Sequence, residues 1–306
     1  MTAESIRVIP ASAGFHQGLK AELSAHLPDA QREAFLLLGG AHFLECLAAV
    51  HGERAVGRAV LPLAKLEAGV QRIRALGLHC VRSRNDFISR GDVVEGTSHR
   101  GSMVPRGTPG ADFGLLYYGV DAELVDGTEQ VEFQGAHALL GRLFGYPECC
   151  CRFYTEGNQL RADRTADTIS DLGPFPREMN PLKGGLYGLR LLSHFPCSPR
   201  CGPSRELLGR HRSYLARFAP ESMAAFDSLG AGIALYGPQV GLALVTGFRR
   251  LAEHTYEIQE VITRGDHAMR LFSSGAPRVL HLHSAHVFEL GSWRFEDEEG
   301  FGAWFE

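Results

Sequence analysis

Five of the seven cysteines in the chain lie within two short segments, residues 145–151 (GYPECCC) and residues 193–201 (SHFPCSPRC). Pro147 and Pro203 can each open a helix, so both segments are predicted to place thiols at a helix N-terminus. Unpaired backbone N–H groups and the positive end of the helix dipole favour the thiolate there. Thiolates bind soft and borderline metals, and the two segments therefore predict a metal site.

Only two of the three consecutive cysteines can face one centre, because successive residues of a helix point about 100° apart. The four predicted metal ligands are Cys149, Cys150, Cys197 and Cys201. His194 is a possible replacement for one thiol, and Cys151 is left as a packing residue or a spare thiol. Cys46 and Cys80 lie in apolar periodic segments and are predicted to be buried core residues.

The spacing leaves the kind of metal open. Four thiolates suit either a tetrahedral zinc ion or an iron–sulfur cluster. Adjacent cysteines are an awkward pair for one tetrahedral ion, whereas a cluster can accept neighbours on different irons. The sequence therefore favours an iron–sulfur cluster, preferably [4Fe–4S], with zinc as the alternative. A third interpretation, in which the thiols are small buried hydrophobes without a metal, does not explain the prolines beside them.

The favoured function is an iron–sulfur enzyme that acts on a small, acidic metabolite by non-redox lyase or sulfur-handling chemistry. An iron without a fourth protein ligand would act as a Lewis acid. The candidate catalytic groups are His194 as proton donor or acceptor, the spare thiol of Cys151, and Ser198. Nearby arginines and two polar residues are candidates for substrate binding: Arg152, Arg190, Arg200, Asn180 and Tyr146.

Other interpretations of these residues stay open. Each arginine could be an ordinary surface charge, and Asn180 before Pro181 could cap a helix. The protein as a whole could be a binding or structural protein stapled by zinc. It could also be a metal-free enzyme, with Cys149 or Cys150 as nucleophile and His194 as base.

The two cysteine segments resemble an uncharacterised family, domain of unknown function 483, over about residues 115–217. The family pattern is Gly-Tyr-Pro-x-Cys-Cys, followed by Asn-Pro and then His-Phe-Pro-Cys-Ser-x-x-Cys-x-x-Ser. This chain carries it as LFGYPECCCRFY and MNPLKGGLYGLRLLSHFPCSPRCGPSRELL. The resemblance implies the site positions Tyr146, Pro147, Cys149, Cys150, Asn180, His194, Pro196, Cys197, Ser198, Cys201 and Ser204. It implies an apolar residue where Cys151 stands, and it implies no particular activity.

Composition narrows the class of protein. The 306 residues are 44% hydrophobic and 22% charged, which is typical of a folded globular chain. A net charge of −4 gives no indication of a nucleic-acid partner. The odd number of cysteines and the lack of an apolar leader favour a cytoplasmic protein. The longest apolar run, residues 231–248, is interrupted by Gly-Pro and is predicted to form strands and not a membrane span. A small-molecule substrate is the expected partner, and a homo-oligomer is possible.

The predicted fold class is α+β, in three regions. Residues 1–125 form a small α/β unit with a mobile loop at 91–111, residues 126–220 form a helical cysteine-rich region, and residues 221–306 form antiparallel β-structure. Shorter predictions concern individual elements: a helix over 30–51, a strand–helix–strand unit at 55–63, 66–76 and 78–81, a strand at 113–118, a helix over 186–193 and a strand over 269–272.

Overall fold

The computed structural model describes residues 6–11, 21–89, 101–156, 164–237, 240–273 and 278–306. These ranges contain both helices and mostly antiparallel strands, which confirms the predicted α+β class. The first half of the predicted mobile loop, residues 91–100, lies outside the described residues. No helix within the described ranges is long and apolar enough to cross a lipid bilayer.

The helices are distributed from the first region to the last. In chain order they are α1 (Asp29–Leu38), α2 (Gly40–Val50), α3 (Leu66–Ala75), α4 (Ala122–Phe133), α5 (His137–Leu143), α6 (Glu148–Glu156), α7 (Lys183–Tyr187), α8 (Gly202–Ala216), α9 (Pro220–Ser228) and α10 (Asp266–Ser273). Residues 21–25 are also helical. Single turns of 3-10 helix occur at Leu63–Lys65, Ala166–Thr168 and Arg177–Met179. The predicted helix over 30–51 is in fact two helices, because Gly39 has a left-handed backbone, with φ of 78°, between them.

The strands form two sheets. They are β1 (Arg7–Pro10), β2 (Val56–Pro62), β3 (His79–Ser89), β4 (Gly101–Pro105), β5 (Phe113–Gly119), β6 (Gly232–Gly237), β7 (Gly241–Ala252), β8 (Thr255–Arg264), β9 (Val279–Ser284), β10 (Val287–Leu290), β11 (Trp293–Glu296) and β12 (Phe301–Phe305). The smaller sheet has the order β2-β5-β3-β4, and the larger has the order β11-β10-β9-β8-β7-β6-β12, with β1 beside β8.

The smaller sheet contains the predicted strand–helix–strand unit. Strands β2 and β3 run in the same direction on either side of β5, which is antiparallel to both, and α3 connects them. The predicted loop is wrong at residues 101–105, because they form β4 and pair with β3 from Asn85↔Pro105 to Ser89↔Gly101. Met103 and Pro105 are exposed, so backbone hydrogen bonds, and not a buried hydrophobic stripe, define this edge strand.

The larger sheet confirms the antiparallel β-structure predicted for the last region, and it adds one parallel strand from the first region. Val8 of β1 pairs with Val261 of β8. The predicted strand over 269–272 is wrong, because these residues belong to α10. Ala268 and Phe272 are the buried residues of α10 and lie four positions apart, which is the helical period.

The predicted helix over 186–193 is also wrong, and the difference matters for the site. Helix α7 ends at Gly188, whose φ of 71° lies in the left-handed region that favours glycine. The chain then runs without regular structure to the start of α8. The largest buried core lies beneath this segment and draws on all three predicted regions, through residues such as Phe35, Tyr118, Leu186 and Phe301.

Candidate metal centre

Two helix N-termini and one loop bring the four predicted cysteines together. Cys149 and Cys150 lie in the first turn of α6, where the carbonyl of Pro147 accepts hydrogen bonds from the backbone N–H groups of Cys150 and Cys151 at 2.9 Å each. Cys201 is the N-cap residue of α8, and Pro203 is in the first turn of that helix, as predicted. Cys197 approaches from the irregular segment, and its backbone N–H lies 3.4 Å from the Sγ atom of Cys150.

The four sulfur atoms form a compact group. The Sγ atom of Cys201 lies 3.6 Å from that of Cys149 and 3.7 Å from that of Cys150, and the adjacent pair Cys149 and Cys150 are 3.9 Å apart. All four sulfurs, including that of Cys197, lie within 4.8 Å of one another. Cys150 and Cys201 are buried, and the other two are partly exposed. Such a group could bind a metal ion.

Burial disfavours the charged form of most of these thiols. It raises the pKa of Cys197 to about 11 and the pKa of Cys150 well above its usual range. For Cys201, burial acts in the same direction, but hydrogen bonds from the side chain and backbone of Ser204 lower its pKa overall. A bound cation would release protons from these thiols and favour the thiolates, so cation binding and deprotonation are coupled here.

Ser204 and His194 contact the cysteine group from the inside. The Ser204 hydroxyl is fully buried and lies 3.2 Å from the Sγ atom of Cys150 and 2.9 Å from Nε2 of His194. Burial, helped by the positive charge of Arg54, lowers the pKa of His194 to about 3, so its imidazole is neutral near pH 7. His194 is therefore a poor proton acceptor, and it reaches Cys150 only through the serine.

Ser204→Ala is expected to weaken metal binding by about tenfold or more without changing the number of ions bound. The substitution removes a hydrogen bond next to a ligand sulfur and leaves Nε2 of His194 without its partner, and outer contacts of this kind tune metal affinity by about 10–100-fold. Competition with a chromophoric chelator measures the affinity. Ser213→Ala, at an exposed position of the same helix, is the matched control. Equal affinities for both variants and the wild type would contradict the expected role of Ser204.

Cys151 lies outside the group, in agreement with the helical periodicity. Its thiol donates a 3.6 Å hydrogen bond to the carbonyl of Tyr146. Gly141 of α5 provides the space, since a Cβ atom there would lie 2.6 Å from the Cys151 sulfur. Burial raises the pKa of Cys151, which favours the neutral thiol over the nucleophilic thiolate. Cys46 and Cys80 are fully buried, as predicted.

A buried ion pair connects the two cysteine segments to α2. The Oε1 atom of Glu45 lies 2.7 Å from Nη1 of Arg54, and both side chains are only 3% exposed. The same carboxylate accepts a hydrogen bond from Ser193, and it lies 3.4 Å from the hydroxyl of Tyr146. The ring of Tyr146 packs against His194 with a centroid separation of 5.0 Å. Tyr146 precedes the first two ligand cysteines and Ser193 precedes the other two. Both residues therefore contact the same buried ion pair of Glu45 and Arg54.

The remaining predicted site residues have other contacts. Arg152 is exposed on α6. Arg200 forms a 2.7 Å ion pair with Asp171, and the Ser198 hydroxyl accepts a 2.9 Å hydrogen bond from the backbone N–H of Arg200. Asn180 donates to the carbonyl of Gly230 and accepts from the backbone N–H of Leu182. It does not cap α7 as the alternative interpretation expected, because the N-cap residue of that helix is Leu182. Arg190 and Asn180 both line a cleft next to the centre.

Three residues that contribute to the region were not predicted: Glu45, Arg54 and Lys183. Glu45 is the only acidic residue in the mostly apolar helix α2 (GAHFLECLAAV), which is a signal that its carboxylate needs a buried partner. Lys183 is one of only three lysines in the chain, between Asn-Pro-Leu and Gly-Gly. Nothing in the local sequence of Arg54 indicates its burial.

Comparisons of the chain with models of protein families, with curated proteins and with solved structures find no match. The resemblance to domain of unknown function 483 rests on the two motifs alone and stays a prediction.

Proposed function

We propose that the four cysteines hold one tetrahedral zinc ion, which staples the starts of α6 and α8 to the segment around Cys197. The separations between the sulfur atoms carry this proposal. Zinc–sulfur bonds of about 2.3 Å in a tetrahedron give sulfur–sulfur separations of about 3.8 Å. The three separations of 3.6, 3.7 and 3.9 Å all lie close to that value.

The same separations give less support to the iron–sulfur cluster that the sequence favours. In a [4Fe–4S] cluster each cysteine binds a different iron, so the cysteine sulfurs lie farther apart than two ligands of a single ion. The adjacent cysteines, which the sequence predicts to be an awkward pair for one ion, have sulfurs only 3.9 Å apart at the first turn of α6. The iron–sulfur lyase stays a prediction, and zinc is the proposal.

Four protein ligands support a structural role for the ion. A catalytic zinc ion keeps one position open for water or substrate, whereas a structural one is closed by four ligands. Here each of the four corners is a cysteine, and Nε2 of His194 is hydrogen-bonded to Ser204. The ion would fix residues 193–201, which lack regular structure of their own. The proposed role of the ion is therefore structural, because it holds the irregular segment 193–201 in place.

Replacement of the native metal with cobalt tests this proposal. Cobalt(II) surrounded by four thiolates has an intense tetrahedral d–d spectrum and strong sulfur-to-metal charge transfer, both of which fall as thiolates are lost. We expect one cobalt ion per chain with a four-thiolate spectrum, for the wild type and for Cys151→Ser alike. In Cys150→Ser the charge-transfer intensity should fall or binding should be lost. A weak octahedral spectrum, or an unchanged spectrum in Cys150→Ser, would overturn the proposal.

A further inference from the structure

A cleft of about 80 Å³ shares the segment around Cys197 with the metal centre. Its wall includes His194, Pro196 and Pro199, and on the other elements Lys183 and Arg190. One buried water needs only about 10–15 Å³ measured in the same way, so the cleft has room for a small molecule. Nothing in the proposed zinc staple explains why two cations and a histidine line this space.

Lys183 is the unusual residue of the cleft. It is only 5% exposed, and in the part of the chain that the structure describes no carboxylate lies within 4 Å of its ammonium group. Burial of an ammonium group without a carboxylate is costly, and such a group calls for an explanation. Its Nζ atom donates a 2.9 Å hydrogen bond to the carbonyl of Phe226 and lies 4.1 Å from the centroid of the ring of that residue.

Both contacts of Lys183 stabilise the ammonium ion and not the free amine. A carbonyl oxygen and the face of an aromatic ring each attract a cation. Burial lowers the pKa of Lys183 only to about 8, so the ammonium is the main form near pH 7. An ammonium group has three N–H donors, and these contacts leave capacity for a further acceptor. Lys183 is thus suited to bind an anion and not to act as a nucleophile.

Two glycines make room for the cationic side chains. A Cβ atom at Gly230 would lie 2.7 Å from Cδ of Lys183, and one at Gly184 would lie 3.1 Å from Nε of Arg190. Glu178 is the only acidic residue among the described lining residues, and it forms a 2.8 Å ion pair with Arg205. Among the described lining residues, Lys183 is the buried cation that no carboxylate contacts within 4 Å.

We propose that this cleft binds a small organic carboxylate, whose carboxylate group contacts Lys183 and Arg190. The planar fork of an arginine matches a carboxylate in geometry. Apolar lining residues such as Met179 and Leu208 suit the carbon skeleton of an organic acid. The inference does not depend on which metal the cysteines bind.

Calorimetric titration of the metal-loaded protein tests the proposal, with acetate, propionate, succinate and benzoate as probes at up to millimolar concentrations. Propionamide, which has the shape of propionate without its charge, is the neutral control, and inorganic phosphate is the alternative anion. We expect at least one carboxylate to bind at a single site and to raise the melting temperature, while propionamide does neither. Binding by none of the carboxylates, or by phosphate alone, would overturn the proposal.

Lys183→Met assigns the binding to the cleft. We expect the affinity for the carboxylate to fall by about tenfold or more, since a hydrogen bond to a charged group is lost. Lys65→Met, at an exposed position, is the matched control and should bind normally. Metal content and melting temperature show whether each variant is folded, and Arg190→Gln gives a second test if Lys183→Met does not fold. Unchanged affinity in folded Lys183→Met would contradict the assignment.

Discussion

Replacement of Cys201 with serine is expected to remove the bound metal and to lower the free energy of unfolding by about 4–5 kcal/mol, since loss of a metal is among the few changes whose effects are this large. For a chain of this size the melting temperature should drop by on the order of 10 °C. Cys201 is the N-cap residue of α8, and its sulfur lies within 3.7 Å of the sulfurs of both Cys149 and Cys150. Its replacement therefore removes the ligand that contacts both of these cysteines. Metal analysis and thermal unfolding measure the two effects.

Cys151→Ser is the matched control for Cys201→Ser, because its thiol is one residue from Cys150 but faces Gly141. It should keep one metal ion per chain and lose little stability. A chelator should lower the melting temperature of the wild type to that of Cys201→Ser, and it should not lower that of Cys201→Ser further. The proposed staple would be wrong if Cys201→Ser kept both its metal and its stability.

Replacement of Arg54 with methionine is expected to lower the free energy of unfolding by about 3–5 kcal/mol, since it leaves the carboxylate of Glu45 buried without its partner. The double variant with Arg54→Met and Glu45→Gln should recover part of that lost stability. Arg72→Met is the control, because Arg72 forms an ion pair with Glu33 in which both side chains are more than 40% exposed. That change should cost less than about 1 kcal/mol. Urea unfolding measures all three variants.

The loss in Arg54→Met should depend on pH. In the wild type, burial alone would raise the pKa of Glu45, but the charge of Arg54 lowers it well below the usual range. The stabilisation from this carboxylate is therefore present above the unfolded pKa of about 4.3 and is lost as the pH falls below it. Without Arg54, burial raises the pKa of Glu45, and protonation then stabilises the folded variant as the pH falls. The difference between wild type and variant should thus be smaller at pH 5 than at pH 7, and an equal difference at both would contradict this account.

The ligand set of the candidate site could be predicted because it depends on local rules. The 100° step of a helix separates Cys151 from its two neighbours, and the prolines at 147 and 203 indicate where two helices begin. Both rules act over a few residues, so the sequence contains the information. The sulfur–sulfur separations, on which the proposal of zinc rests, could not be predicted in this way. They depend on how closely the starts of α6 and α8 and the segment around Cys197 approach one another.

Contacts that depend on how the chain turns between elements could not be predicted. Glu45 signals that it needs a partner, but Arg54 becomes that partner only because the turn between α2 and β2 brings its side chain back to the helix. Strand β4 lacks a buried stripe, and its pairing with β3 is a backbone property. For residues 269–272, a window of four apolar-rich residues is too short to separate the period of a strand from that of a helix.

Measurement of zinc, iron and acid-labile sulfide per chain tests the central claim most directly. The protein would be purified without oxygen from cells supplied with both metals, so that neither metal is limiting. We expect one zinc ion per chain, no sulfide and no visible absorption. Iron and sulfide in equal amounts, with broad absorption in the visible range, would contradict the zinc staple and support the iron–sulfur cluster.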